Sequence, residues 1–108
     1  MIMSDGLEKV ALENEIAPGG RLSIILGDEV PALVLRAGDD FYCVEDVCTH
    51  DGQPMTDGEF EGCELTCPRH GAKFNVKTGA PTKMPATEPV RTFPVEVRDG
   101  AVYVKYDG

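Results

Sequence analysis

Basic side chains are scarce in this chain of 108 residues: 10 Lys and Arg stand against 19 Asp and Glu, for a net charge of −9 and a pI of about 4.5. A surface so acidic repels phosphate backbones and anionic lipid, which excludes a nucleic-acid binder and favours basic protein surfaces as partners. Long apolar runs are missing too. None approaches the ~18 residues of a membrane-spanning helix, and the opening MIMSDGLEKVALENEIAPGG lacks the basic start, apolar stretch and small-residue cleavage site of a secretory signal. A cytoplasmic location with no membrane contact is expected. No stretch has the apolar period of a helix longer than a turn or two, and neither an internal repeat nor a low-complexity tract occurs. Histidine is limited to His50 and His70, and cysteine to Cys43, Cys48, Cys63 and Cys67. In a reducing compartment those thiols are metal ligands or buried apolar residues rather than disulfides.

What is present reads as β structure in one globular domain, with 42% hydrophobic and 27% charged residues. Residues 21–26 (RLSIIL) and 30–36 (VPALVLR) are β-branched apolar runs joined by Gly27, Asp28 and Glu29, which predicts a hairpin. The turn at 37–40 leads into 41–45 (FYCVE), making a three-strand meander. Residues 90–98 (VRTFPVEVR) and 101–106 (AVYVKY) flank Asp99-Gly100, a strong two-residue hairpin signal. Pro94 places its strand at an edge or bulge.

Residues 46–89 differ from both flanks. They are rich in Gly, Pro and charge, yet hold three of the four Cys and both His, so a loop-rich functional excursion is expected. From 39 to 64 there are nine acidic residues and no basic one; from 65 to 91 there are five basic residues and one acidic. Asp46, Asp51, Glu59 and Glu61 are expected to serve as docking charges around the first half.

Cys48-Thr49-His50 is followed, sixteen residues later, by Cys67-Pro68-Arg69-His70. Each half offers one thiolate and one imidazole on a Gly- and Pro-containing loop. Set side by side, the loops would present two sulfurs together and two ring nitrogens together. That suits a [2Fe–2S] cluster with one iron held by Cys48 and Cys67 and the other by His50 and His70. A single structural zinc in a Cys2His2 site, or buried residues with no metal, remain alternatives, although Cys-x-His is an unusual zinc spacing. Cys43 and Cys63 read as packing residues. Met55 is either a soft apolar shield over the cluster or plain packing; Gly52 and Gly71 are expected to supply backbone conformations that a side chain would forbid, with loop N–H groups near the cluster donating to its sulfides. Gly58 and Gly79 read as ordinary turn glycines.

The stretches CTHDGQPMTDG (48–58) and CPRHGAKFNVKTGAP (67–81) resemble those of Rieske-type [2Fe–2S] ferredoxins, and the flanking strands follow that family's order, so the likeness covers nearly the whole chain. It implies an all-β antiparallel sandwich, a base of residues 1–45 and 90–108, and a small loop-rich cluster-binding subdomain of about 46–89 inserted at one end. Respiratory Rieske proteins carry a disulfide between the loops, where this chain has Gln53 and Arg69. They also carry a Ser and a Tyr that donate to sulfur, where it has Ala72 and Phe74. Losing those donors should place the potential near the bottom of the range of about −150 to +300 mV.

The resemblance implies no enzyme but a one-electron carrier, fed by a flavin- or NAD(P)H-linked reductase and passing electrons to a terminal oxygenase, typically a ring-hydroxylating dioxygenase. A monomer is expected. The small subunit of a nitrite reductase and an accessory factor of iron–sulfur assembly are alternatives, and a zinc-stapled interaction module is one from another class.

Overall fold

The structure, a computed structural model, describes residues 6–49, 52–68 and 70–106. Among them are eleven strands: β1 (Leu7–Leu12), β2 (Arg21–Leu26), β3 (Val30–Ala37), β4 (Asp40–Glu45), β5 (Phe60–Glu61), β6 (Glu64–Thr66), β7 (Lys73–Asn75), β8 (Pro81–Lys83), β9 (Thr92–Phe93), β10 (Val95–Arg98) and β11 (Ala101–Lys105). A 3-10 turn covers Glu13–Glu15. The strands form three antiparallel sheets, ordered β1-β11-β10, β2-β3-β4-β9 and β5-β6-β7-β8.

The expected meander is the middle of the second sheet, with Leu26 paired to Val30 and Ala37 to Asp40. Its first turn needs left-handed backbone at Gly27 (φ 57) and Asp28 (φ 60). Gly27 is required twice over, because a Cβ there would lie 2.4 Å from the Tyr106 ring. Asp99 (φ 50) and Gly100 (φ 79) make the two-residue turn between β10 and β11, the geometry that matches strand twist.

One expectation needs correction, and two elements had no sequence signal. Residues 90–98 are not one strand: the chain breaks at Pro94, so β9 closes the second sheet on β4 while β10 joins the first sheet on β11. Proline has no N–H for a ladder, and both pieces are edge strands. Strand β1 carried no sequence signal, since Glu8 and Lys9 are poor strand formers and a bulge between Lys9 and Ala11 interrupts its alternation. The middle segment, read as loop-rich, contains the third sheet, whose strands of two or three residues are too short for a period to show.

The second sheet is a wall shared by two cores. Ala32 and Val34 of β3, with Phe41 and Cys43 of β4, face a core that includes Leu26, Phe93, Val102, Val104 and Tyr106. The intervening Leu33, Leu35 and Val44 face the other way, into a core with Cys48, Met55, Leu65, Cys67, Phe74 and Val90. Burial on both faces explains why β3 reads as a continuous apolar run rather than an alternation. At about 1.5 to 3 kcal/mol per fully buried large apolar side chain, each core is a major stabilising element.

Polar ties complete the base. The Arg36 guanidinium donates to the Ile16 carbonyl (2.9 Å) and the Gly38 carbonyl (2.8 Å) and lies 5.0 Å over the Phe41 ring, which pins the 3-10 segment against β3. Tyr106 donates its hydroxyl to Glu29 Oε1 (2.8 Å), fastening the end of the first sheet to the β2–β3 turn.

Candidate metal centre

The first loop leaves β4 and begins at Cys48, whose N–H donates to the Gln53 carbonyl (2.8 Å), while the Gly52 N–H donates to the Cys48 carbonyl (2.7 Å). The second loop leaves β6 at Cys67 and repeats the pattern: the Cys67 N–H donates to the Ala72 carbonyl (2.6 Å), and the Gly71 N–H to the Cys67 carbonyl (3.1 Å). Gly52 (φ 73) and Gly71 (φ 75) occupy the same left-handed position, and a Cβ at either would meet open space. Each glycine therefore serves backbone sign and not room. Its N–H closes its own loop.

Both loops deliver a buried thiol to the same apolar core. His70 sits on the second loop three residues after Cys67 and is exposed. His50, Asp51 and Arg69 lie outside the described residues. Two sulfurs facing hydrocarbon and an imidazole facing water form a donor set of the right chemistry for a [2Fe–2S] centre with mixed ligation. Among the described residues no lysine or carboxylate is buried. Ala72 and Phe74 are fully buried and bring no side-chain donor to it.

Close approaches lock the loops together. A Cβ on Gly58 would fall 1.8 Å from the Thr66 carbonyl, so the exit of the first loop runs hard against the residue that precedes Cys67. Gly79 likewise presses on the Val90 carbonyl, which a Cβ would meet at 2.2 Å. These two were expected to be turn glycines, and close packing is their stronger demand. Thr49 Oγ1 donates to the Glu88 carbonyl (2.7 Å), tying the segment after β8 to the first loop. Met55 is fully buried in the core of the two cysteines.

Asp46 is not a free docking charge. Its Oδ1 accepts from the Met55 N–H (2.6 Å) and its Oδ2 from the Thr56 hydroxyl (2.5 Å). Glu59 and Glu61 are exposed as expected. The roles of Thr49, Thr56 and Arg21 had no signal in the sequence, because each acts on a group ten or more residues away, a backbone carbonyl for Thr49 and Arg21 and the Asp46 carboxylate for Thr56. Cys43 and Cys63 are free. Burial pushes the Cys43 thiol from 9.0 up to about 12, which keeps it protonated and inert.

The family model for the Rieske [2Fe-2S] domain matches residues 7–94. The chain belongs to the Rieske [2Fe–2S] family. Its cofactor is thus a [2Fe–2S] cluster, which sets the single-zinc alternative aside. Among Rieske relatives, the ferredoxin CarAc of Metapseudomonas resinovorans is 41% identical over 96 residues, covering 89% of this chain and 90% of its own. The ferredoxin of carbazole 1,9a-dioxygenase from Nocardioides aromaticivorans superposes with a TM-score of 0.89 at 31% identity, over 94% of this chain and 98% of that one. A chain of the complex of reduced oxygenase and oxidized ferredoxin in carbazole 1,9a-dioxygenase gives 0.88 at 38% identity, over 94% of both. These Rieske relatives are ferredoxin components, carriers rather than catalysts. Among the described residues no helix is long and apolar enough to cross a membrane.

Proposed function

We propose that this Rieske protein shuttles single electrons from a flavin- or NAD(P)H-linked reductase to the terminal oxygenase of a ring-hydroxylating system, acting as a cytoplasmic monomer. Cys48 and Cys67 hold one iron and His50 and His70 the other, within a tip of residues 46–89 mounted on a base of 1–45 and 90–108. The observation that carries the assignment is the matched closure of the two loops, which sends two thiols into one core and leaves His70 at the surface.

The bound cluster supplies a reversible one-electron step, and with two thiolates rather than four its oxidised form is neutral, so an added electron costs less. The chain does the rest. Met55, Leu65 and Phe74 keep water from the sulfur side, and the contacts of Gly58 with Thr66 and of Thr49 with Glu88 brace the loops. Exposed His70 marks the side on which a partner protein approaches. A relative captured with its oxygenase supports that partner class.

The test is direct. The purified chain should be red-brown, hold about two irons and two acid-labile sulfides, and, once reduced, lose its electron rapidly to the oxygenase component of a carbazole dioxygenase. Sedimentation should give one chain per particle. A colourless chain overturns the ligand assignment, and a cluster that stays reduced beside the oxygenase overturns the partner.

A further inference from the structure

Asp46 lies outside the ligand set and is half-buried, with both of its carboxylate oxygens engaged across the first loop. Oδ1 accepts from the Met55 N–H at 2.6 Å and Oδ2 from the Thr56 hydroxyl at 2.5 Å. The chain leaves β4 at Glu45, passes Cys48, and returns to this carboxylate within ten residues. Arg21 reaches from β2 to the same place, donating Nη1 to the Thr56 carbonyl at 2.8 Å. Thr56 is therefore held from both sides, by an acid at the start of the loop and by a base on an edge strand of the second sheet.

The clasp acts on Met55. Its N–H is one of the two groups bound by Asp46, and its side chain is fully buried with Cys48 and Cys67. The Met55 carbonyl accepts from the Gly58 N–H (3.0 Å), so the turn that follows is anchored on the same residue. Gly58 in turn abuts the Thr66 carbonyl beside Cys67. One carboxylate thus sets the position of the apolar cover over both cysteines and, through the turn, the spacing between the loops.

We propose that Asp46 is a positioning residue that holds Met55 against the cluster's sulfur side and, as a fixed negative charge beside the first loop, keeps the reduction potential low. The proposal rests on the ligand assignment above. Two physical effects point the same way: a nearby negative charge opposes the added electron, and a tight apolar cover denies the reduced cluster its solvation by water.

The experiment uses the cluster-loaded protein in Asp46→Asn, Thr56→Val, Thr56→Ser and Arg21→Met forms, read by redox titration and by amide exchange in a peptide containing Met55. At the wild-type midpoint, Asp46→Asn should raise the ratio of reduced to oxidised protein about tenfold, equivalent to about 59 mV for one electron. Its Met55 amide should exchange about tenfold faster. Thr56→Val keeps every charge and loosens the clasp, so exchange should speed several-fold with a smaller change in potential, and Thr56→Ser should restore both; Arg21→Met loosens the clasp but also removes a positive charge, so it is read by exchange alone, which should speed several-fold. An Asp46→Asn protein with full iron, wild-type midpoint and wild-type exchange overturns the clasp. Where Asp46→Asn does not load, Thr56→Val decides: unchanged exchange and midpoint overturn the proposal. Wild-type protein without iron would defeat the ligand assignment alone, leaving the exchange comparison standing.

Discussion

The two cores flank the same pair of strands but are held by different means. The base core is enclosed mostly by strands of four to eight residues, whose ladders fix most of the backbone, with the Arg36 and Tyr106 ties added at its margins. The tip core is enclosed by strands of two or three residues and two loops, and its shape depends on single contacts: Gly58 on Thr66, Thr49 on Glu88, Asp46 on Met55 and Thr56. The lesson is that burial alone does not assign chemistry. Cys43 and Cys48 are equally buried and five positions apart, yet one faces hydrocarbon from a ladder while the other opens a loop.

The sharpest way to break that contrast is to exchange the cysteines' fates. Cys48→Ser or Cys67→Ser should abolish the cluster, seen as loss of iron and of visible absorbance. Cys43→Ala should retain two irons and lose only about 1 to 2 kcal/mol of stability by thermal melting. Iron loss in Cys43→Ala would mean the two cores are not separate in function.

Next in size are the glycines. Gly58→Ala drives a methyl into the Thr66 carbonyl and should cost about 3 kcal/mol or more, with a changed visible circular dichroism spectrum. Gly27→Ala strikes the Tyr106 ring at left-handed backbone and should lower the melting temperature as well, leaving the cluster spectrum untouched.

A smaller effect separates the regions by pH. The folded Cys43 thiol keeps its proton to about pH 12, whereas the unfolded chain gives it up near 9.0. Its contribution to stability is fully present below pH 9 and is lost as pH rises from 9 toward 12. Tyr106, raised by its hydrogen bond to Glu29 and by burial, acts in the same direction at higher pH. Melting by far-ultraviolet circular dichroism should show the decline, and Cys43→Ala should flatten its first part. The smallest effect belongs to the rim. Glu59→Gln with Glu61→Gln should change the rate of electron transfer to the oxygenase by a factor of about three or less, and only at low salt.

The candidate ligands Cys48, His50, Cys67 and His70 stand out in the sequence because metal chemistry restricts residue type and spacing and the chain has only four Cys and two His. The meander and the Asp99-Gly100 hairpin were legible through period and turn chemistry. Strand β1 was not, because it is fixed by pairing with β11, ninety residues away. Nor was the split at Pro94, since proline forbids a ladder bond without saying which sheet each half will join. Asp46 was misread as a docking charge because a carboxylate's partners, here a backbone N–H and a hydroxyl brought near by a loop, leave no trace in composition.

Local order along the chain was enough to name the chemistry, since ligand types, turn residues and apolar alternation act over a few positions. The sharing of β3 and β4 between two cores, the matched closure of the loops, the pressure of Gly58 on Thr66 and the clasp on Met55 required the folded chain. Each depends on how the backbone folds back on itself, within a loop or between strands, and a contact set by chain path has no counterpart in residue types taken one stretch at a time.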